Sequence, residues 1–153
     1  MPTLTLVPST GETMPIFPLI DPDGRQSTLA DAQDGRRAVV LFMRASNCPI
    51  CVAHGRTMLR MQAAGEFGDA RTIFVTPGDA KDAAEARRRL GDGTEAVYAS
   101  GDHHEDIGLG RFLAIQHSGT FVLDEHGRVL DAVTSTLPTG AFSPDRARTA
   151  LAS

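Results

Sequence analysis

Residues 38–43, AVVLFM, are an unbroken apolar run, β-branched near its start and followed at once by Arg44. No other feature of the chain narrows the fold as much. A run this short with no polar side reads as a strand buried on both faces of a partly parallel sheet. Such a strand needs further strands beside it and a covering layer of helices. With 153 residues, 41% of them apolar, the chain is long enough to build that core as one domain without disulfides or metal. The core is expected over about 14–133, with an N-terminal tail at 1–13 and a C-terminal tail or helix at 134–153.

The remaining pattern supplies the partners. Thr3–Val7 reads as a short edge strand or a tail, and Ile16–Ile20 is strand-like despite Pro18. Asp21-Pro22-Asp23-Gly24 is a strong turn. Ser27–Asp34 reads as a loop or one helical turn closed by Gly35. Past the apolar run, helical pattern continues to about Phe67, where Gly68 and Asp69 end it. A strand at 72–76, a helix from about Asp79 to Leu90, a strand at 95–99 and a short helix over roughly His104–Leu113 follow. A hairpin then turns at Glu125-His126-Gly127. Ser143 as N-cap and Pro144 at the first helical position fit a last helix. Strand–helix alternation implies right-handed crossovers. The expected class is α/β: a central mixed sheet flanked by helices, with an N-terminal β-hairpin extension and a C-terminal antiparallel hairpin.

A net charge of −4 and dispersed arginines give no basic patch for nucleic acid. Arg87-Arg88-Arg89 reads as a solvated helix face. The opening MPTLTLVPSTGETMPIFPLI has neither a basic leader nor an uninterrupted apolar core, and no stretch approaches the ~20 apolar residues of a membrane span. A cytoplasmic location is therefore expected. In that compartment a close cysteine pair points to catalysis or metal binding rather than to a structural disulfide.

Cys48-Pro49-Ile50-Cys51 is that pair, set where the buried strand gives way to a helix. Free N–H groups and the helix dipole favour negative charge there, which lowers a thiol pKa and raises the fraction ready to attack. Cys48 precedes the first turn and is the expected attacker. Cys51 falls one turn in, more buried, as the resolving thiol. Pro49 suits an early helical position, where its missing N–H costs nothing. Two other readings stay open: ordinary buried cysteines, or a metal held by Cys48, Cys51 and His54 with His103 or His104 as fourth ligand. His54 reads either as a helix-surface or packing residue or as a base. Arg44 either stabilises a thiolate or is a solvated strand end.

Three stretches, taken in order, resemble the peroxiredoxin-like (alkyl hydroperoxide reductase and thiol-specific antioxidant) branch of the thioredoxin-like superfamily. They are IFPLIDPDGRQSTLAD, VVLFMRASNCPIC and GRFLAIQHSGTFVLDEHGRVLD, spanning about Met14 to Val133. The first is similar to the family's F-x-L-x-D-x-x-G opening. The second resembles its strand, active-site loop and cysteine-bearing helix, and the third its final T-F-V-L-D-x-x-G hairpin. The resemblance implies a thioredoxin-like fold, a redox-active dithiol and, by analogy, a homodimer.

The chain also departs from the family. Where family peroxidases carry Thr or Ser three residues before the attacking cysteine and Pro seven before it, this chain has Ala45 and Leu41. Ser46 is one place later. The arginine expected two residues before Thr-Phe corresponds to Ser118, the cis-proline of thioredoxins to Gly119, and the aromatic before the first cysteine to Asn47.

The function expected first is a thiol–disulfide oxidoreductase. Cys48 attacks a substrate disulfide, Cys51 resolves, and Arg44 and Ser46 assist. Asn47, Pro49, His54, Gly119 and Thr120 face the substrate, with Gly119 and Thr120 pairing with a peptide backbone. The second expectation is a thiol peroxidase reducing hydrogen peroxide or organic hydroperoxides. The third is a non-catalytic redox-sensing or metal-binding module. Both enzyme readings need a small dithiol or protein thiol as reductant and no cofactor.

Overall fold

A computed structural model describes residues 8–16, 18–91, 94, 96–101, 111–112, 115–116, 118–135 and 140–152. Its centre is the apolar run. β3 (Ala38–Phe42) is fully buried and pairs in parallel with β4 (Arg71–Thr76) and antiparallel with β8 (Ser118–Leu123). Alternation divides its side chains between two cores. Val39, Leu41 and Met43 pack with α2 (Pro49–Ala63), α3 (Ala80–Leu90) and α4 (Pro144–Leu151). Ala38, Val40 and Phe42 pack on the other face with Leu29 and Ala32 of α1 (Leu29–Gln33) and with Phe121. Each large side chain buried this way contributes about 1.5–3 kcal/mol.

The seven-stranded sheet runs β2-β1-β5-β4-β3-β8-β9. β1 (Pro18–Ile20) and β2 (Gln26–Thr28) form the N-terminal hairpin, β5 (Val97–Ala99) runs parallel to β4, and β9 (Val129–Ser135) closes the far edge against β8. The parallel steps from β3 to β4 to β5 advance in one direction, so right-handed crossovers lay α2 and α3 on the same face. Pro18 is tolerated because it opens its strand and only Ile20 of β1 pairs with β5. Thus the mixed sheet, its flanking helices and both hairpins are as expected. Among the described residues no helix is long and apolar enough to cross a membrane.

Several expectations need correction. The segment Ser27–Asp34, read as a loop or one helical turn, does hold the short helix α1, but it begins in strand β2, where Thr28 turns out of the hairpin to cap α1 in a reciprocal capping box with Asp31. Helix α2 stops at Ala63, not near Phe67. The chain continues through turns in which Gly65 and Gly68 take positive φ, and Phe67 still reaches the core. The helix expected over His104–Leu113 lies mostly outside the described residues. Its described part, β6 (Arg111–Phe112), is a strand paired with β7 (Ile115–Gln116). Part of the N-terminal tail is tied down: Gly11 and Met14 N–H groups donate to the carbonyls of Val129 and Gly127. The last helix follows its sequence signals, with Ser143 accepting from the Arg146 N–H and Pro144 opening the helix.

Candidate active site

β3 ends at Phe42, and Met43 still bonds toward β4 through its N–H to the Val75 carbonyl (2.7 Å). The chain then leaves the sheet at Arg44, turns with the Cys48 N–H on the Ala45 carbonyl (3.2 Å), and enters α2 with Cys48 as N-cap and Pro49 as first helical residue. Cys48 Sγ accepts a hydrogen bond from the Cys51 N–H (3.4 Å), and Cys51 Sγ accepts from the Arg44 N–H (3.3 Å). The sulfur of Cys48 thus occupies the position of a capping oxygen, facing the positive end of the helix. Both thiols are free.

Burial separates this pair from its sequence reading. Cys48 is 3% exposed and Cys51 1%, so Cys48 is not an open nucleophile. Burial, with the hydrogen bond to Cys48, pushes the Cys51 thiol from 9.0 up to about 12, against the pull of the Arg44 N–H and charge. Cys51 therefore keeps its proton at neutral pH. Cys48 Sγ, by contrast, lies at the N-terminus of α2, where it receives the Cys51 N–H. The Arg44 guanidinium is half-buried and makes no hydrogen bond or ion pair with any described residue, so its charge stays available to the site.

The other expected residues fall into place unevenly. Ser46 is buried, but its hydroxyl donates to Asp82 Oδ1 (3.4 Å) in the first turn of α3. That bond ties the loop before the cysteines to α3. Asn47 and Pro49 are exposed at the rim, next to Ile50, a large apolar side chain 38% exposed. His54 turns its ring toward Phe142, 5.8 Å between ring centroids. Its Nδ1 has no hydrogen-bond partner among the described residues, and burial lowers its pKa from the usual 6.5. Among the described residues no three His, Cys, Asp or Glu side chains converge as a group that could hold a metal, Cys48, Cys51 and His54 included. His103 and His104 lie outside the described residues.

Gly119 and Thr120 are buried inside β8, whose backbone pairs with β3 on one side (Phe42 with Gly119) and β9 on the other (Thr134 with Gly119). Among the described residues both edges of β8 at Gly119 and Thr120 are thus already paired. No described peptide bond is cis. Thr120 Oγ1 instead donates to the Ala141 carbonyl (2.6 Å), tying β8 to the segment that carries Phe142. Sequence reasoning missed Asp82, Phe142 and the lone hydroxyl of Ser118. Asp82 comes from a segment read only as helix and Phe142 from the stretch just before the Ser143 cap, and no spacing rule links either to the cysteines.

No family model matches the sequence, and no curated protein matches it. Solved structures do match in shape. Peroxidoxin BcpB from Mycobacterium tuberculosis aligns with a TM-score of 0.73 at 23% identity, over 95% of this chain and 97% of that one. A thiol peroxidase from Chromobacterium violaceum aligns at 0.75 and 13% identity, over 99% and 90%. A putative protein disulfide isomerase from Bacteroides thetaiotaomicron aligns at 0.65 and 15% identity, over 97% and 90%. This chain therefore has the thioredoxin-like fold that these three structures share.

Proposed function

We propose that the protein is a thiol peroxidase that reduces small hydroperoxides, with Cys48 as attacking and Cys51 as resolving cysteine. The observation that carries this reading is the closed setting of the pair. Both thiols are at most 3% exposed and the strand beside them has no free edge, a setting that favours a small oxidant over a protein disulfide. Likeness to a peroxidoxin and a thiol peroxidase supports it.

The Cys48 thiolate attacks one peroxide oxygen. An S–O bond forms as the O–O bond breaks, the sulfur is oxidised to a sulfenic acid, and the leaving oxygen takes a proton to become water or an alcohol. Cys51 then attacks the Cys48 sulfur. Its proton leaves with the sulfenic oxygen as water, and a Cys48–Cys51 disulfide remains. An external dithiol reduces that disulfide and is itself oxidised.

Disulfide exchange, the reading ranked first on sequence, is the last half of this cycle. Likeness to a disulfide isomerase keeps it as the second reading. The deciding experiment adds stoichiometric hydrogen peroxide to the reduced protein and to Cys48→Ser and Cys51→Ser. Fast formation of one intramolecular disulfide per peroxide in the wild type, a trapped sulfenic acid in Cys51→Ser and no reaction in Cys48→Ser is expected. A wild type that ignores peroxide yet exchanges quickly with a small aromatic disulfide would be an oxidoreductase instead.

A further inference from the structure

Ser118 opens β8 with its side chain on the sheet face that carries the cysteines. Two and four residues on, Thr120 bonds to Ala141 beside Phe142, and Val122 packs in the same core as Leu41, Met43, Cys48 and Cys51. Strand alternation puts Ser118 on that face with them. The register sets Phe42 opposite Gly119, the residue that follows Ser118 in β8, and Met43 follows Phe42 directly. Met43 directly precedes Arg44, whose N–H holds Cys51 Sγ, so Ser118 stands beside the junction that builds the dithiol.

The Ser118 side chain is also out of place as a packing residue. It is 1% exposed, and its Oγ has no hydrogen-bond partner among the described residues, whereas Thr120 on the same face has one. A buried hydroxyl without a partner costs stability that alanine would spare, and an acceptor arriving with a substrate would offset that cost. A disulfide brings only sulfur, a weak acceptor. A hydroperoxide brings two oxygens, one of which gathers negative charge as the bond between them breaks.

We propose that Ser118 contacts the substrate, its hydroxyl donating a hydrogen bond to the peroxide oxygen that departs when Cys48 attacks. This rests on the peroxidase reading. The thiolate sulfur supplies the electron pair for the new S–O bond, and the O–O pair leaves on the departing oxygen. Ser118 stabilises that charge while a proton from solvent completes the water or alcohol.

The test compares Ser118→Ala with wild type in four measurements: thiol loss with hydrogen peroxide, exchange with a small aromatic disulfide, thiolate titration and urea unfolding. The peroxide rate constant is expected to fall about 100-fold, the loss typical of one oxyanion donor. Exchange and thiolate titration stay as in wild type, and the unfolding midpoint holds or rises. An unchanged peroxide rate overturns the proposal, and so does an equal fall in peroxide and disulfide rates. Failure of the peroxidase reading itself is read from the wild type alone, as inertness to peroxide.

Discussion

At the scale of single residues, the two sulfurs differ by which backbone N–H each receives and by how much water each has lost. Cys51 carries the larger penalty, and its thiol is raised to about 12. Its thiolate fraction then grows about tenfold per pH unit through neutral and mildly alkaline pH. The resolving step should accelerate with pH over that range. Stopped-flow mixing of the peroxide-oxidised protein, followed by loss of the sulfenic acid, checks this; a pH-independent step would contradict it. The same shift bears on stability. A proton held to about 12 when folded but released near 9.0 when unfolded stabilises the fold fully below 9.0 and less and less as pH climbs toward 12. Tyr98, also raised by burial, adds to the decline above its ordinary value of 10.0. Urea midpoints should fall between pH 9 and 10, and Cys51→Ala should flatten that part of the curve.

At the scale of elements, α2 is seated by its lack of a side chain at Gly55. A Cβ there would lie 2.3 Å from Leu90 Cδ2 and 3.1 Å from Phe74 Cε1, so glycine lets the helix lie close against both α3 and β4. Arg56 reinforces the seat from the exposed side, its guanidinium donating twice to the Arg89 carbonyl that ends α3. Alanine at 55 improves helix propensity by up to about 1 kcal/mol. Overpacking costs typically 1–3 kcal/mol, so the net effect of Gly55→Ala is a loss of roughly 1 kcal/mol, measured as a lower urea midpoint. It should also slow peroxide oxidation, since the N-terminus of α2 holds Cys48. Ser143→Ala removes the cap of α4 and is expected to cost about 1 kcal/mol without changing cysteine chemistry, because the Ser143 hydroxyl bonds to the Arg146 N–H and to neither cysteine.

At the scale of the whole molecule, the sheet is the common frame: β3 lies between β4 and β8 and faces a hydrophobic core on each side. Its amides should be among the slowest to exchange with deuterium, opening only with global unfolding, while the small β6–β7 ribbon exchanges early. Gly119 sits where β8 and β9 approach closely: a Cβ there would meet Thr134 Cγ2 at 2.9 Å and the Val133 carbonyl at 3.0 Å. Gly119→Val forces branched carbons into that gap. It should lower the unfolding midpoint more than Gly55→Ala does, because one obstacle is backbone and has little room to shift.

The sequence by itself determined the strand–helix alternation from β3 to β5, the last helix with its Ser143 cap, the hairpin around Gly127 and the cysteines' position at a helix N-terminus. Each of these is written in contiguous residues: an apolar run, a cap, a turn, a spacing of three. It could not determine how exposed those cysteines are, or which face of α2 turns inward. The buried face runs through Cys51, Val52, Gly55, Met58 and Met61, and includes a glycine that no apolar pattern marks. Nor could it foresee that Ser46 would reach Asp82, that Gly119 and Thr120 would be enclosed between two strands, or that Ser118 would lack a partner. Those outcomes depend on residues far apart in the chain being brought together, so that burial, and with it the state of each thiol and hydroxyl, is a property of the packed sheet and not of any local stretch.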